Sequence, residues 1–304
     1  MARRRRGLPV DGVLLLDKPR GMSSNHALQR ARRLLQAQKA GHTGTLDPMA
    51  TGLLPVCLGE ATKFSSHLLE ADKVYRTRVR LGEITATGDA EGEVIERRAV
   101  AAFEDADIEG VLARFRGEIE QVPPMYSALK HQGRPLYELA RQGRTIERAP
   151  RRVTVYDTRL LARDAEGFEL EVTCSKGTYI RTLAEDIGHA LECGAHITAL
   201  RRLRTGPFAD DTMLTLEALD ACGDQVAREA TLLPADVLVA HLPRLDVDDT
   251  TAARLLQGQQ ALTDTAGLPL DSLARLYRDE AFLGLVTVIA AGVVAPRRLI
   301  ASTH

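Results

Sequence analysis

Residues 73 to 80, KVYRTRVR, alternate polar side chains with apolar or aromatic ones, and this period of two is typical of a β-strand with one covered face. In such a strand Tyr75 points to the face opposite that of its two neighbours. Residues 168 to 181, FELEVTCSKGTYIR, alternate in a similar way. If that strand continues to its last residue, Tyr179 and Arg181 lie on the same face.

Other segments predict further strands and the helices between them. Residues 12 to 21, GVLLLDKPRG, indicate a short buried strand and a Pro/Gly turn. Ser23 or Ser24 can then cap a helix that we expect to end near Gly41. Two later segments continue the pattern, a helix over residues 182 to 194 and a strand over residues 197 to 208. Because strands and helices follow no regular βαβ order, we expect an α+β fold with a mixed, largely antiparallel central sheet flanked by helices and loops.

The chain has 304 residues and a net charge of −1, so the total charge alone points to no polyanionic partner. The charges are unevenly distributed, however. Basic side chains are concentrated in residues 3 to 39, 141 to 152 and 201 to 204, and acidic ones in residues 210 to 249. The basic segments either form a face that neutralises phosphates or are ordinary solvated surfaces.

The cysteines and the apolar segments exclude other classes of protein. Cys57, Cys174, Cys193 and Cys222 are far apart and form neither a CxxC pair nor a zinc-type cluster with histidine. They predict reduced, structural thiols in a cytoplasmic protein. Residues 282 to 294, FLGLVTVIAAGVV, are the longest late apolar stretch and are shorter than the ~20 residues that a membrane-spanning helix needs.

Residues 41 to 52, GHTGTLDPMATG, surround one acid, Asp47, with small or flexible residues. The glycine spacing fits neither a phosphate-binding loop nor a dinucleotide fingerprint. Taken alone, Asp47 and Pro48 are typical of a helix start, and His42 is typical of a turn. The alternative is that Asp47 takes part in a chemical reaction. Little bulk around the carboxylate lets a large substrate approach, a nearby arginine can hold the acid ionised, and an aromatic side chain can stack on an RNA base.

Two segments stand apart from this pattern. Residues 131 to 153 are basic and interrupted by Gly and Pro, so they predict either a projecting hairpin or mobile insertion, or an ordinary surface excursion. After about Leu233 an acidic linker leads to short β-like runs. This last part is long enough for a small β-rich domain with its own core.

Six segments, in order along the chain, resemble the family of bacterial tRNA pseudouridine-55 synthases of the TruB type. They are GVLLLDKPRGMSSN, AGHTGTLDPMATGLLPVCLGEATKF, KVYRTRVRLGEITATGDAEGEV, PPMYSALKHQGRPLYELARQG, SKGTYIRTLAEDIG and TALRRLRTGPF. The resemblance covers roughly the first two thirds of the chain. It continues near the end, where GVVAPRRLI resembles the last strands of a PUA RNA-binding domain.

The resemblance implies that a uridine in the tRNA T-loop is isomerised to pseudouridine without cofactor or metal. The family's essential aspartate falls on Asp47, which would act as nucleophile. Tyr75 matches the tyrosine that stacks on the target base, and Arg181 matches the arginine that pairs with the aspartate. Tyr179 and Leu200 match residues that line the pocket.

The same resemblance implies residues that bind the substrate. His42 matches the histidine that holds the T-loop after base flipping. Lys18, Lys63 and the segment from about 130 to 152, which would close as a thumb, are expected to contact phosphates. The acidic run from Asp246 to Asp249 is expected to face away from RNA.

The resemblance also sets the expected organisation. We expect a catalytic domain over residues 1 to 240 and a PUA-like domain over residues 241 to 304, in a monomeric, cytoplasmic enzyme whose partner is tRNA. The run from Arg3 to Arg6 is either an additional RNA contact or a solvated terminus. The alternative function is a non-catalytic tRNA-binding or tRNA-folding factor. A synthase of the dyskerin type, which works with guide RNA and protein partners, is disfavoured by the bacterial-type spacing and the thumb-like insertion.

Overall fold

A computed structural model describes residues 7 to 265 and 267 to 300, so the run from Arg3 to Arg6 lies outside the described residues. The strands are β1 (Gly12–Lys18), β2 (Ala40–His42), β3 (Thr51–Leu58), β4 (Lys73–Leu81), β5 (Glu83–Thr85), β6 (Val94–Arg97), β7 (Gly117–Gln121), β8 (Lys130–His131), β9 (Arg134–Pro135), β10 (Arg151–Asp164), β11 (Gly167–Cys174), β12 (Ala195–Thr205), β13 (Phe208–Ala209), β14 (Arg244–Asp246), β15 (Ala261–Leu262), β16 (Leu273–Arg278), β17 (Ala281–Ala290) and β18 (Val293–Leu299).

The α-helices are α1 (Ser24–Leu34), α2 (Ser65–Leu69), α3 (Asp105–Ala113), α4 (Leu136–Ala140), α5 (Ile180–Ala190), α6 (Leu216–Ala221), α7 (Gln225–Glu229) and α8 (Asp249–Leu256). Short 3₁₀ helices cover Gly59–Lys63, Asp210–Thr212 and Ala235–Val239. None of the helices formed by the described residues has the length and apolar composition needed to cross a membrane.

The described chain folds around a nine-stranded sheet in the order β1-β3-β12-β4-β11-β10-β7, with β2 paired to β3 and β13 paired to β12. The pair formed by β3 and β12 is parallel, whereas the other pairs of this sheet are antiparallel. The prediction of an α+β fold with a mixed, largely antiparallel sheet is therefore confirmed.

One face of this sheet is covered by helices α1 and α5, which bury their apolar sides against β3, β4 and β12. Strand β4 shows why the sequence alternates. Val79 is fully buried on the covered face and Tyr75 packs against the same core, while Arg76 between them is exposed. The period of two thus follows from one covered face.

A five-stranded sheet in the order β14-β16-β17-β18-β15 forms the C-terminal part and has its own core. It packs against the other face of β1 and β3 through a mixed apolar cluster, in which the rings of Phe64 and Phe282 lie 5.3 Å apart. This arrangement agrees with a β-rich C-terminal domain. The exact boundary at residue 240 and the PUA assignment stay predictions.

Several element boundaries differ from the predictions, and two of the differences have a clear local cause. Helix α1 ends at Leu34, before Gly41, because Gln36 adopts a left-handed conformation and the chain then enters β2. Strand β11 ends at Cys174, because Gly177 turns the chain with φ +80° and the Thr178 hydroxyl bonds to the Ser175 carbonyl.

The end of β11 also corrects the expectation for Tyr179 and Arg181, which do not share a strand face. Tyr179 is the N-cap residue of α5, and Arg181 lies in the first turn of that helix. The period of two continues by chance into a turn and a helix start. Both side chains still reach the same site, for a different reason than predicted.

Candidate active site

Asp47 lies in an irregular turn, residues 43 to 50, which we call the Asp47 turn. No helix starts there, so of the two alternatives for Asp47 and Pro48 the structure does not support the helix cap. Instead, the Ala50 amide donates to the Asp47 carbonyl at 3.1 Å and the chain enters β3. The proline closes a tight turn that leaves the carboxylate at its outer side.

The Asp47 turn is fixed at nearly every residue. Ser24 is buried at the start of α1, and its hydroxyl both donates to the Leu46 carbonyl at 2.9 Å and accepts from the Leu46 amide at 2.8 Å. Ser23 is the N-cap residue of α1, which settles the choice between the two serines. The Pro48 carbonyl accepts from the Gly21 amide at 2.7 Å. These contacts hold the carboxylate in one position.

Arg181 pairs with the Asp47 carboxylate, with 2.9 Å between Nε and Oδ2. The side chain of Arg181 is 3% exposed, whereas that of Asp47 is 31% exposed. The arginine is therefore part of the protein interior, and the acid is open to a substrate. Burial raises the pKa of the Asp47 carboxyl, and the Arg181 guanidinium opposes that rise.

The Arg181 guanidinium has further acceptors that fix its orientation. It donates to the carbonyls of Thr87 at 2.9 Å and Tyr126 at 2.7 Å. Asp89, which is buried, places a carboxylate oxygen 3.8 Å from Nε, and its charge is a further cause of the raised Asp47 pKa. Two acids thus share one buried arginine.

Tyr75 and His42 lie next to a second buried arginine, Arg202. Tyr75 and Arg202 are direct partners across β4 and β12. Burial raises the pKa of the Tyr75 phenol, and Arg202 opposes that rise. Burial and the charge of Arg202 lower the pKa of His42, which favours a neutral ring. The Nδ1 atom of His42 is buried without a hydrogen-bond partner in the described structure.

The two predicted pocket residues have different surroundings. Tyr179 is half-buried, and its backbone is held by the buried Gln121, whose amide bonds to the Tyr179 amide at 3.0 Å and carbonyl at 3.3 Å. Leu200 is 8% exposed and belongs to the core beside β4. It also borders, with Met49 and others, a groove of about 270 Å³ beside the Asp47 turn.

Lys18 does not fit the predicted phosphate contact, because its side chain is fully buried. Its ammonium donates to the carbonyls of Met22 at 2.5 Å, Pro19 at 2.9 Å and Pro48 at 3.3 Å. Burial lowers the pKa of Lys18 to about 8. The structure thus corrects the prediction, since Lys18 supports the Asp47 turn from the protein side.

Lys63 lies at the contact with the C-terminal sheet. Its ammonium donates to the Leu299 carbonyl at 2.8 Å and to Glu60 at 2.5 Å. The side chain is 24% exposed, so a further contact with a phosphate is compatible with this position. The structure does not bring Lys63 together with Asp47, Tyr75 and Arg181.

Residues 130 to 152, which we call the thumb, form the hairpin of β8 and β9, helix α4 and an extended return. A cavity of about 520 Å³ lies between the thumb, the segment from 122 to 126 and α5. Thr87 and Tyr126 line it, so it adjoins Arg181, but Asp47 is not among its lining residues. Across residues 7 to 265 and 267 to 300, no three His, Cys, Asp or Glu side chains are grouped as metal ligands.

The sequence interpretation missed four residues that build the site: Ser24 as an anchor of the Asp47 turn, Asp89, Gln121 and Arg202. Asp89 was visible as one of two acids in a TGDAEG turn, and Arg202 as part of a basic strand. Nothing in the sequence indicates that Gln121 faces Tyr179. These contacts join residues far apart in the chain, which periodicity does not reveal.

The chain matches three family models in order: TruB family pseudouridylate synthase (N terminal domain) over residues 32 to 180, tRNA pseudouridylate synthase B C-terminal domain over residues 181 to 240, and Pseudouridine synthase II TruB, C-terminal, over residues 243 to 300. A tRNA pseudouridine synthase B of Chromohalobacter salexigens is 71% identical over 300 residues, 99% of this chain and 97% of that protein. The chain belongs to the TruB family of pseudouridine synthases.

Other TruB relatives and solved structures agree. A tRNA pseudouridine synthase B of Chromobacterium violaceum is 55% identical over 295 residues, 96% of this chain and 95% of that protein. A chain in a crystal structure of a Cbf5-Nop10-Gar1 complex is 28% identical with a TM-score of 0.71, over 96% of this chain and 85% of that one. A chain of an H/ACA RNP bound to a substrate RNA containing 2′-deoxyuridine is 25% identical with a TM-score of 0.74, over 99% and 92%. The TruB fold predicted from the motifs is thereby confirmed.

Proposed function

We propose that this protein isomerises uridine-55 in the T-loop of tRNA to pseudouridine, with Asp47 as the nucleophile acting on a flipped-out nucleotide. The observation that carries the proposal is the Asp47 carboxylate, 31% exposed and 2.9 Å from a buried arginine. The names of the relatives at 55% and 71% identity support tRNA as the substrate. A pure RNA binder has no use for an exposed carboxylate near phosphates, because like charges repel.

In the proposed reaction the bond between N1 and C1′ breaks and a bond between C5 and C1′ forms. The C5 proton goes to solvent and N1 gains a proton, so the nucleotide is rearranged without a net change in composition and no redox partner is needed. Asp47 either attacks C1′ or assists departure of the base while a proton leaves C2′. The turn contacts described above keep its carboxylate in place for either route.

Side chains around Asp47 would hold the flipped base. Tyr75 offers an aromatic face for stacking, and its hydroxyl is available for proton transfer. Tyr179 and Leu200 would line the pocket, and His42 would hold the emptied loop. The neutral state favoured for His42 suits hydrogen bonding to RNA better than acid catalysis at neutral pH.

The rest of the chain would bind the tRNA body. We propose a catalytic domain to about residue 240, with the thumb closing over the T-loop, and a PUA-like RNA-binding domain over residues 241 to 304. Lys63 lies between the two parts, and we propose that its partly exposed side chain contacts a phosphate. The acidic run from Asp246 to Asp249 would face away from RNA. We propose that the protein acts as a cytoplasmic monomer without metal or nucleotide cofactor.

The test uses a T-stem-loop transcript labelled with tritium at C5 of its uridines. The purified protein should release tritium without added metal or nucleotide, and a transcript with cytidine at position 55 should release none. Background release from a transcript that the protein binds would overturn the proposal.

Asp47→Asn separates catalysis from the alternative of a tRNA-folding factor. It removes the nucleophile and keeps the shape of the side chain, so tritium release should fall to background while tRNA affinity changes less than about threefold. Tyr126→Phe is the matched control, because Arg181 donates to the backbone carbonyl of Tyr126, and this change of side chain leaves the carbonyl in place. A variant Asp47→Asn that still releases tritium would contradict the assignment.

A further inference from the structure

Arg202 is the largest of the fully buried side chains, with 1% of its surface exposed. Its Nε donates to the Leu53 carbonyl at 2.7 Å and its Nη2 to the Gly44 carbonyl at 3.1 Å. In the part of the chain that the structure describes, no carboxylate lies within 4.0 Å of this guanidinium. A buried charge without a carboxylate is costly, so it calls for an explanation beyond packing.

The two carbonyls lie before and after Asp47 in the chain. Gly44, with φ +86°, belongs to the turn, and a Cβ at this position would come within 3.4 Å of Nη1. Leu53 lies in β3 just after the turn. The Arg202 backbone also contacts Gly52, where a Cβ would lie 2.3 Å from the Arg202 carbonyl oxygen. Arg202 therefore holds both ends of the segment that carries Asp47.

The same guanidinium adjoins the Tyr75 phenol. The two residues are paired directly across β4 and β12, so their side chains stand side by side on the covered face. An arginine only donates hydrogen bonds, so in any hydrogen bond between the two side chains the phenol oxygen accepts and its own hydrogen is left to point elsewhere. The charge of Arg202 also counteracts the rise in the Tyr75 pKa that burial causes.

We propose that Arg202 is a positioning residue for the isomerisation, which orients the Tyr75 hydroxyl toward the target base and keeps the Asp47 turn at a fixed distance from it. The inference rests on the proposed function, because it assigns a role in that reaction. Arg202 does not touch the substrate in this role. It acts through one aromatic side chain and two backbone carbonyls.

The test is a double-mutant cycle with Arg202→Met and Tyr75→Phe. The rate of tritium release is measured in single turnovers at saturating enzyme, and tRNA affinity and melting temperature are measured for each variant. Arg202→Met alone should lower the rate by about 10²-fold with affinity within about threefold, because a small displacement of the reacting groups has this effect. In the Tyr75→Phe background the same change should cost only about tenfold, because the hydroxyl that Arg202 orients is already gone and only its contacts with the backbone around Asp47 remain to be lost.

Two further variants keep the test decisive. Arg202→Lys retains the charge and should recover part of the rate, and it replaces Arg202→Met in the cycle if the latter does not fold. Arg228→Met is the matched control, because Arg228 also donates to two backbone carbonyls, those of Leu219 and Leu34, but does so away from the Asp47 turn and from the proposed RNA-binding domain. Its single-turnover rate should equal that of the unchanged protein.

Independent, multiplicative losses in the two backgrounds would overturn the inference, as would a rate loss matched by an equal loss of folded protein. Both outcomes can be interpreted only if the protein without substitutions releases tritium. If the unchanged protein releases no tritium, the proposed function fails instead, and the two failures are thereby distinguishable.

Discussion

The Asp47 turn and the thumb are both irregular segments beside Arg181, but the protein holds them in different ways. The turn is bonded to a buried serine, lysine and two arginines. Residues 145 to 150 of the thumb, in contrast, have one backbone hydrogen bond in the described structure, from the Ile146 amide to the Met125 sulfur at 3.5 Å. The turn is fixed by the core, and the return of the thumb is not.

This difference suggests that the Asp47 turn and the thumb have different roles in the reaction. A nucleophile must be held within a fraction of an ångström, which requires several rigid contacts. A segment that admits a folded RNA must open and close, so it needs few contacts to break. Changes in the Asp47 turn should therefore affect the rate of the chemical step, and changes in the thumb should affect substrate binding.

The largest effect is expected for Arg181→Met. Asp47 must be ionised to act, so activity is lost as the pH falls through its raised pKa. Arg181 lowers that pKa, so its removal raises the pKa further and moves the acid limb of the rate profile to higher pH. At pH 7 the single-turnover rate should fall by about 10³-fold, since the oriented charge is also lost.

The matched control for this prediction is Arg163→Met. Arg163 forms an exposed ion pair with Asp105 at 2.6 Å, far from the turn in the described contacts. It should leave the pH profile unchanged. An acid limb that stays at the same pH in Arg181→Met would show that the guanidinium does not control the ionisation of Asp47.

A smaller loss, about 10²-fold in the rate, is expected for Lys18→Met. The change keeps the length of the side chain and removes the donors to Met22 and Pro48, so the turn loosens while RNA affinity stays within about threefold. Lys73→Met is the control, because Lys73 is also buried with its pKa lowered to about 8 and donates to the Leu69 carbonyl. If Lys18→Met instead weakened tRNA binding and reduced the slope of log affinity against log salt concentration by about 1, the result would support the predicted contact between Lys18 and a phosphate.

Lys18 also shows what the sequence could predict and what it could not. The strand that ends at Lys18 and the Asp47 segment were both visible, because apolar runs and turn residues are local signals. That Lys18 bonds to Pro48, 30 residues away, depends on how the two segments pack, and no local pattern records it. A surface contact was the natural expectation, since lysine is seldom buried.

Tyr179 and Arg181 show the converse case. Tyr179 and Arg181 were predicted to lie on the same face of one strand, but that strand ends before it reaches them. In the structure both residues lie at the start of helix α5. The family resemblance, which matched whole motifs, implied that Arg181 pairs with Asp47, and the two side chains do lie 2.9 Å apart, whereas the role of Tyr179 in the pocket stays a prediction. Periodicity alone misplaced them, because a period of two over a few residues also occurs in turns.

The smallest effect is expected for Gly143→Ala in the thumb, and Gly52→Ala provides the comparison. Both glycines have positive φ, +69° and +96°, so both changes strain the backbone by about 1 kcal/mol. At Gly143 no atom lies within 4 Å of a new Cβ, whereas at Gly52 the Arg202 carbonyl oxygen lies 2.3 Å away. Gly143→Ala should change the rate and the tRNA affinity by no more than about twofold, because the new methyl group meets open space. Gly52→Ala should lower the melting temperature and the rate together, because β3 must separate from β12 to admit the methyl group. Equal effects of the two changes, measured by thermal unfolding and single turnovers, would mean that the thumb at Gly143 is held as firmly as the pairing of β3 with β12 that follows the Asp47 turn.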